Sequence, residues 1–251
     1  MNEYLIVCPL VFLAGFVDSI GGGGGLISLP AFMLAGIPAH MSLATNKMAS
    51  TMGTTVSTIR FARHGYMKWK FCAAGAVMAL LGSPLGAMLA LHVEETIIEK
   101  LMLVVLPVVA FYVLRKKNKE ECETKSSLSD RTILLIVIAS AFVIGIYDGF
   151  YGPGTGTFLI LIFSGAAKMD TRTAAGTTKA INLSSNVAAL ITYIINGKVV
   201  YSMGITAGLF CIAGHYIGAG LVTKNGQKIV RPVILIVLFI LFIKILSGMI
   251  E

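Results

Sequence analysis

Charge is scarce in this chain. Asp, Glu, Lys and Arg make up 13% of its 251 residues, about half the share of an ordinary soluble domain. Long stretches hold none of them, among them 71–93, 101–114, 132–147, 180–197 and 199–223. A bilayer span needs about 20 mostly apolar residues. These runs exclude a soluble protein and imply a polytopic α-helical membrane protein. A transmembrane β-barrel is excluded too, because its alternating segments of about ten residues do not occur. Cysteine is sparse and scattered at Cys8, Cys72, Cys122 and Cys211, with no CxxC, so neither a zinc site nor a disulfide framework is indicated. The histidines, His40, His64, His92 and His215, are dispersed, and no HExxH occurs. An intramembrane enzyme would need a metal set or a nucleophile–base pair. The expectation is therefore no enzyme and no cofactor. The first residues, "MNEYLIVCPLVFLAGF", lack a basic start and a small-residue cleavage site before the glycines. They read as mature protein and not as a signal peptide.

What is abundant is apolar surface and glycine. The apolar set supplies 56% of the chain, with 27 glycines and a mean hydropathy of +0.85. Five glycines run together in "GGGGGLISLP" at 21–30. Each costs about 1 kcal/mol relative to alanine inside a helix, so the first helix must break there. The break recurs. "GFVDSIGGGGGLISL" at 15–29 matches "GIYDGFYGPGTGTFL" at 145–159, which sets Gly15 on Gly145 and Asp18 on Asp148, at an offset of 130. Beyond the glycines the offset is 132: Lys47 falls on Lys179, Gly65 on Gly197, and "GSPLGA" at 82–87 on "GHYIGA" at 214–219. A constant offset over many landmarks marks an internal duplication.

The expected organisation is a first membrane repeat over 1–114, a cytoplasmic linker over 115–131 and a second membrane repeat over 132–251. Each repeat has four segments. A glycine-broken segment (4–20 then 25–37; 132–149 then 155–167) precedes a helix rich in Thr, Ser and Asn (40–62; 172–195). A small-residue helix (71–92; 201–223) and an apolar helix (97–114; 230–248) follow. The formal charge of +8 belongs to cytoplasmic loops, not to a nucleic-acid surface. Arg60, Arg63, Lys68 and Lys70 make one loop cytoplasmic, and the basic 115–131 loop agrees. If 132–167 crosses once, Lys168, Arg172, Lys224, Lys228 and Arg231 lie outside. If it enters and returns on one side, all five lie inside and Lys198 alone lies outside. The second layout obeys the charge rule and puts the N-terminus outside. Each half then crosses an odd number of times, giving two inverted repeats.

A helix broken at membrane depth leaves backbone groups without partners, and is tolerated only where protein or water covers them. It also creates a helix N-terminus, with free N–H donors and about half a positive charge, which suits an anion. The two breaks, Gly21–Gly25 and Gly152–Gly156, each offer such a cradle, and the substrate-binding candidates at them are Gly22, Gly23, Gly24, Gly25, Gly154, Thr155, Gly156 and Thr157. By contrast, Gly82, Gly86, Gly214 and Gly218 are small-xxx-small packing positions. Lys47, Ser50 and Thr54 share a helical face at i, i+3 and i+7, repeated by Lys179, Asn182 and Asn186. Asn46 and Thr178 precede the two lysines. A lysine within a span costs at least about 2.5 kcal/mol at mid-membrane by insertion scales, and by default marks a functional site. The bland alternative is that each snorkels to a headgroup. Asp18 and Asp148 are candidates for proton coupling, for neutralising the lysines, or for hydrogen bonding at a helix end. His215 aligns with Ser83 and reads as a hydrogen-bonded core histidine.

These landmarks resemble the TauE/SafE family, also called TSUP, of sulfite exporters and anion permeases. The residues that carry the likeness are "GFVDSIGGGGGLISLP", "ATNK" at 44–47, "GSPLGA", "GIYDGFYGPGTGTF", "TTKAINLSSN" at 177–186 and "GHYIGAGL" at 214–221. The resemblance implies a duplicated domain of about eight helices, and transport of small sulfur-containing or organic anions. The expected function is a secondary transporter of a small anion, sulfite-like or an organosulfonate, working by alternating access. An anion channel and a carrier of organic carboxylates stay open. The expected setting is a bacterial or archaeal plasma membrane. The expected partners are the anionic substrate and the lipid bilayer, with no nucleic acid; a homodimer is left open.

Overall fold

The computed structural model describes residues 2–101, 104 and 128–221. All regular structure among them is helical: α1 (Asn2–Gly21), α2 (Gly25–Leu34), α3 (Ala39–Arg63), α4 (Trp69–His92), α5 (Asp130–Phe150), α6 (Thr155–Gly165), α7 (Thr171–Ile195) and α8 (Tyr201–Leu221). A further helical stretch begins at 95–101. The rest of the first closing helix, the second closing helix, Cys122, most of the 115–131 linker, and Lys224, Lys228 and Arg231 lie outside the described residues. Helix α5 begins at Asp130, inside the expected linker, because Ser129 caps it by accepting the Thr132 N–H.

The order long, short, long, long recurs in both halves. Helices α1, α4, α5 and α8 are each long and apolar enough to cross a membrane. Leu81, Leu85 and Leu89 of α4, with Leu209 and Ile217 of α8, stay exposed, as a lipid-facing surface requires. Helices α3 and α7, 25 residues each, are long enough to span but polar, and polar side chains such as Thr45, Asn46, Lys47, Thr178, Lys179 and Asn182 are buried.

Each broken segment is a hairpin. Tyr4 and Val7 near the start of α1 share a core cluster with Phe32, Ala35 and Ile37 at the end of α2. Ile133 and Val137 of α5 likewise meet Phe163, Ala167 and Met169. The chain therefore goes in and comes back, with the glycines at the tip. The basic residues of the two halves accordingly gather at one end: Lys70 pairs with Asp130 at 3.1 Å, and Arg172 lies over the Tyr66 ring at 5.6 Å. Lys198 is at the other end, next to Val200, whose N–H donates to Thr45. Equivalent helices α3 and α7 run antiparallel, since Lys47 meets Asn186 and Thr58 meets the Lys179 carbonyl.

The halves are interlocked. Helix α4 packs on α5, and α8 on α1. At these contacts a Cβ on Gly82 would lie 2.5 Å from the Phe142 carbonyl, and one on Gly214 would lie 2.1 Å from the Phe12 carbonyl. Gly82, Gly86, Gly214 and Gly218 are thus contact points of backbone with backbone, the packing role their spacing indicates.

Candidate substrate site

The two hairpin tips meet. Gly22 has φ +74°, and a Cβ there would stand 2.5 Å from the Thr157 nitrogen. Only glycine accommodates both the left-handed turn and that approach. The Thr157 hydroxyl donates to the Gly21 carbonyl at 3.3 Å, and Gly25 lies against Pro153. Beyond the tips, α2 and α6 start from Gly24 and Gly154, and neither cap side has a side-chain hydrogen bond. The N–H of Gly24 donates to Asp18 Oδ1 at 3.2 Å. Among the described residues the N–H groups of Gly25 and Gly156 have no acceptor.

These starts border a polar cavity that opens to solvent. From the hairpin tips, Gly23, Gly24, Gly25, Gly154, Thr155 and Gly156 reach it. Helix α3 contributes Asn46, Lys47, Ser50 and Thr54 from one face, and α7 contributes Asn182 and Asn186. The Thr54 hydroxyl is buried without a partner among the described residues.

The duplicated charges pair across the halves. Lys47 Nζ lies 2.7 Å from Asp148 Oδ2 and donates to Asn186 Oδ1 at 3.0 Å. Lys179 Nζ lies 2.8 Å from Asp18 Oδ2 and also donates to the Asp18 carbonyl. Ser185 donates to Asp148. Both lysines are 2% exposed, so neither snorkels. The reason for the cross-pairing is geometric: α3 and α7 pack on each other, and each lysine reaches from its polar helix to the aspartate near the end of the other half's first helix.

Four of the expected binding and proton-coupling residues, which besides Thr54 and Asn186 number sixteen, do not line the cavity. Gly22 and Thr157 hold the hairpin tips together. Lys179 is turned into α1, where two oxygens of Asp18 engage it. Thr178 is fully buried and its hydroxyl has no partner among the described residues. The other twelve, Asp18 and Asp148 among them, reach it. His215 is hydrogen-bonded to Ser57 at 3.1 Å, as a core histidine would be, but it also lines the cavity and lies 3.7 Å from Asp18. Sequence reasoning passed over it because its duplicate position holds Ser83. Cys211, one helical turn before it on α8, lines the cavity as well and carried no sequence signal.

The family described as "Sulfite exporter TauE/SafE" matches residues 7–245. The chain belongs to the TauE/SafE family. It is similar to "Probable membrane transporter protein ORF9" of Sinorhizobium sp, 35% identical over 94% of this chain and 90% of that protein. It is also similar to "Probable membrane transporter protein YfcA" of Escherichia coli K12, 32% identical over 98% of this chain and 93% of that one. A "Probable membrane transporter protein" of Haemophilus influenzae is 30% identical, over 93% and 90%. No solved structure matches. This TauE/SafE protein is a multi-pass membrane transporter, and in it the motifs that carry the family likeness are the hairpin tips, the starts of the polar helices and the small-residue contacts.

Proposed function

We propose that this chain moves a small anion, a sulfur-containing oxyanion or organosulfonate of the sulfite type, across the cell membrane by alternating access. One observation carries the reading: two helix N-termini with free N–H groups and the buried Lys47 ammonium border one polar cavity. N–H donors at a helix start favour negative charge, and a charge-assisted bond from an ammonium is about twice as strong as a neutral one. The hydroxyl and amide groups of Ser50, Thr54, Asn46 and Asn182 supply further donors, which suits a ligand with several oxygens. The antiparallel run of α3 and α7 supports inverted repeats, the plan in which a fixed central site is opened to each side in turn. The basic end of the hairpin layout is then cytoplasmic, and both termini are outside.

The test is counterflow in proteoliposomes loaded with sulfite, with methanesulfonate, sulfate and acetate as competitors. A carrier accumulates labelled anion against its gradient while the unlabelled pool exits. Uptake without counterflow would make the protein a channel. Exchange of acetate but of neither sulfur anion would shift the substrate class to carboxylates. No anion flux from any of the four would refute the reading.

A further inference from the structure

The four charges at the site, three buried and Asp18 partly so, cancel. Among the described residues that line the cavity or pair with those that do, Lys47 and Lys179 are balanced by Asp18 and Asp148. With His215 neutral, the sum is zero. An anion entering alone would add a full charge beside an ion pair whose side chains are almost wholly enclosed, where charges are weakly screened.

The two pairs are not equally reachable. Lys179 is absorbed by Asp18, whose carboxylate is also held by the Gly24 N–H, and it does not line the cavity. Lys47 does. A Cβ on Gly152 would lie 3.1 Å from Lys47 Nζ and 3.3 Å from Asp148 Oδ1, so this pair sits against the glycine break itself. Lys47 already serves Asp148 and Asn186, so an incoming anion takes its full charge only by displacing Asp148; sharing the one cation would leave the group one charge negative. The displaced carboxylate stays buried, 2% exposed, with the Ser185 hydroxyl as its donor. A buried carboxylate without a countercharge is costly, and it takes up a proton instead.

We propose that the anion is bound as a neutral unit with one proton, the proton on Asp148 and the anion in its place on Lys47. The inference rests on the anion-carrier reading above. The balance is simple. Before binding, the site holds one ammonium and one carboxylate; afterwards it holds the ammonium, the anion and a carboxylic acid. The proton comes from water on the loading side and leaves with the anion. Ser185 can follow the change, because a hydroxyl donates to a carboxylate and accepts from a carboxylic acid. The groups facing Asp148 are Lys47 from α3, Ser185, Asn186 and Tyr193 from α7, Tyr147 from its own helix, and Asp18 across the cavity from α1. Helix α4 brings Ser83 to this level, and α6 carries no titratable side chain.

The test is calorimetry on the full chain in lipid nanodiscs with methanesulfonate, a monoanion throughout pH 5–9. Titrations run in two buffers of different ionisation heat. The wild type should take up about one proton per anion at alkaline pH, with affinity falling about tenfold per pH unit there. Asp148→Asn should take up none and bind with no such dependence. If that variant does not insert, the proton count of the wild type decides alone. Binding by the wild type without proton uptake at any pH overturns the inference and leaves the anion carrier standing. No binding of methanesulfonate or sulfite at any pH overturns both.

Discussion

Replacing Lys47 by methionine removes one charge of a pair that is almost completely enclosed: both side chains are 3% exposed, and they meet at 2.7 Å. Breaking a buried pair on one side costs about 3–5 kcal/mol, because the other charge is stranded. For a chain of this size each kcal/mol moves Tm by about 2–4 °C. Lys47→Met should therefore melt about 6–20 °C below wild type. Asp148→Leu should lose a similar amount, because it strands the ammonium. The double variant should recover to within about 2 kcal/mol of wild type, since apolar residues often replace a buried pair at little cost. Transport must not recover with it, because the cavity has then lost its accessible cation. The assays are thermal denaturation of the purified variants, read as a double-mutant cycle, and sulfite counterflow in proteoliposomes. Two singles that melt with wild type would refute the buried-pair energetics, as would a double variant that loses the sum of both. A double variant that transports would remove Lys47 from the binding site.

Gly23→Val and Gly154→Val should each abolish transport in a protein that still inserts, because both residues have positive φ (+95° and +89°) at the cavity wall; full counterflow in both would leave the glycines a packing role only. Cysteine introduced at 168 should react with an impermeant reagent from the cytoplasmic side and cysteine at 198 from outside; the reverse result, or the same side for both, would contradict the hairpin layout. Asp170 caps α7 by accepting the Thr173 N–H at 2.9 Å. Burial pushes its carboxyl up, but the Thr173 hydrogen bonds and Lys68 outweigh this and hold it below the ordinary value. Its stabilisation should be present at neutral pH and fade as pH falls through the carboxylate range. Asp170→Ala should cost about 1 kcal/mol at pH 7, with the difference from wild type shrinking towards pH 3 in thermal melts; an unchanged difference would refute the charged cap.

The sequence by itself determined that the chain lives in a membrane, that it is built of two related halves, and where its helices break. These properties are written in local composition and in a repeat offset, and apolar runs and glycine clusters need no partner to be recognised. It also exposed Lys47, Lys179, Asp18 and Asp148, because an ionisable residue inside an apolar run stands out wherever the chain folds. Only the tertiary structure decided how these four are joined. The spacing of Lys47 and Asp148, or of Lys179 and Asp18, says nothing of their contact, which arises because the two polar helices pack on each other and each lysine reaches across to the other half. That same crossing turned Lys179 into α1 while leaving Lys47 on the cavity. It also brought in His215 and Cys211 from α8, a helix whose pattern reads as packing alone. Symmetry in the sequence made the two lysines look equivalent. The packed chain makes them different, because a buried ammonium takes the nearest oxygens, and Asp18 offers two to Lys179.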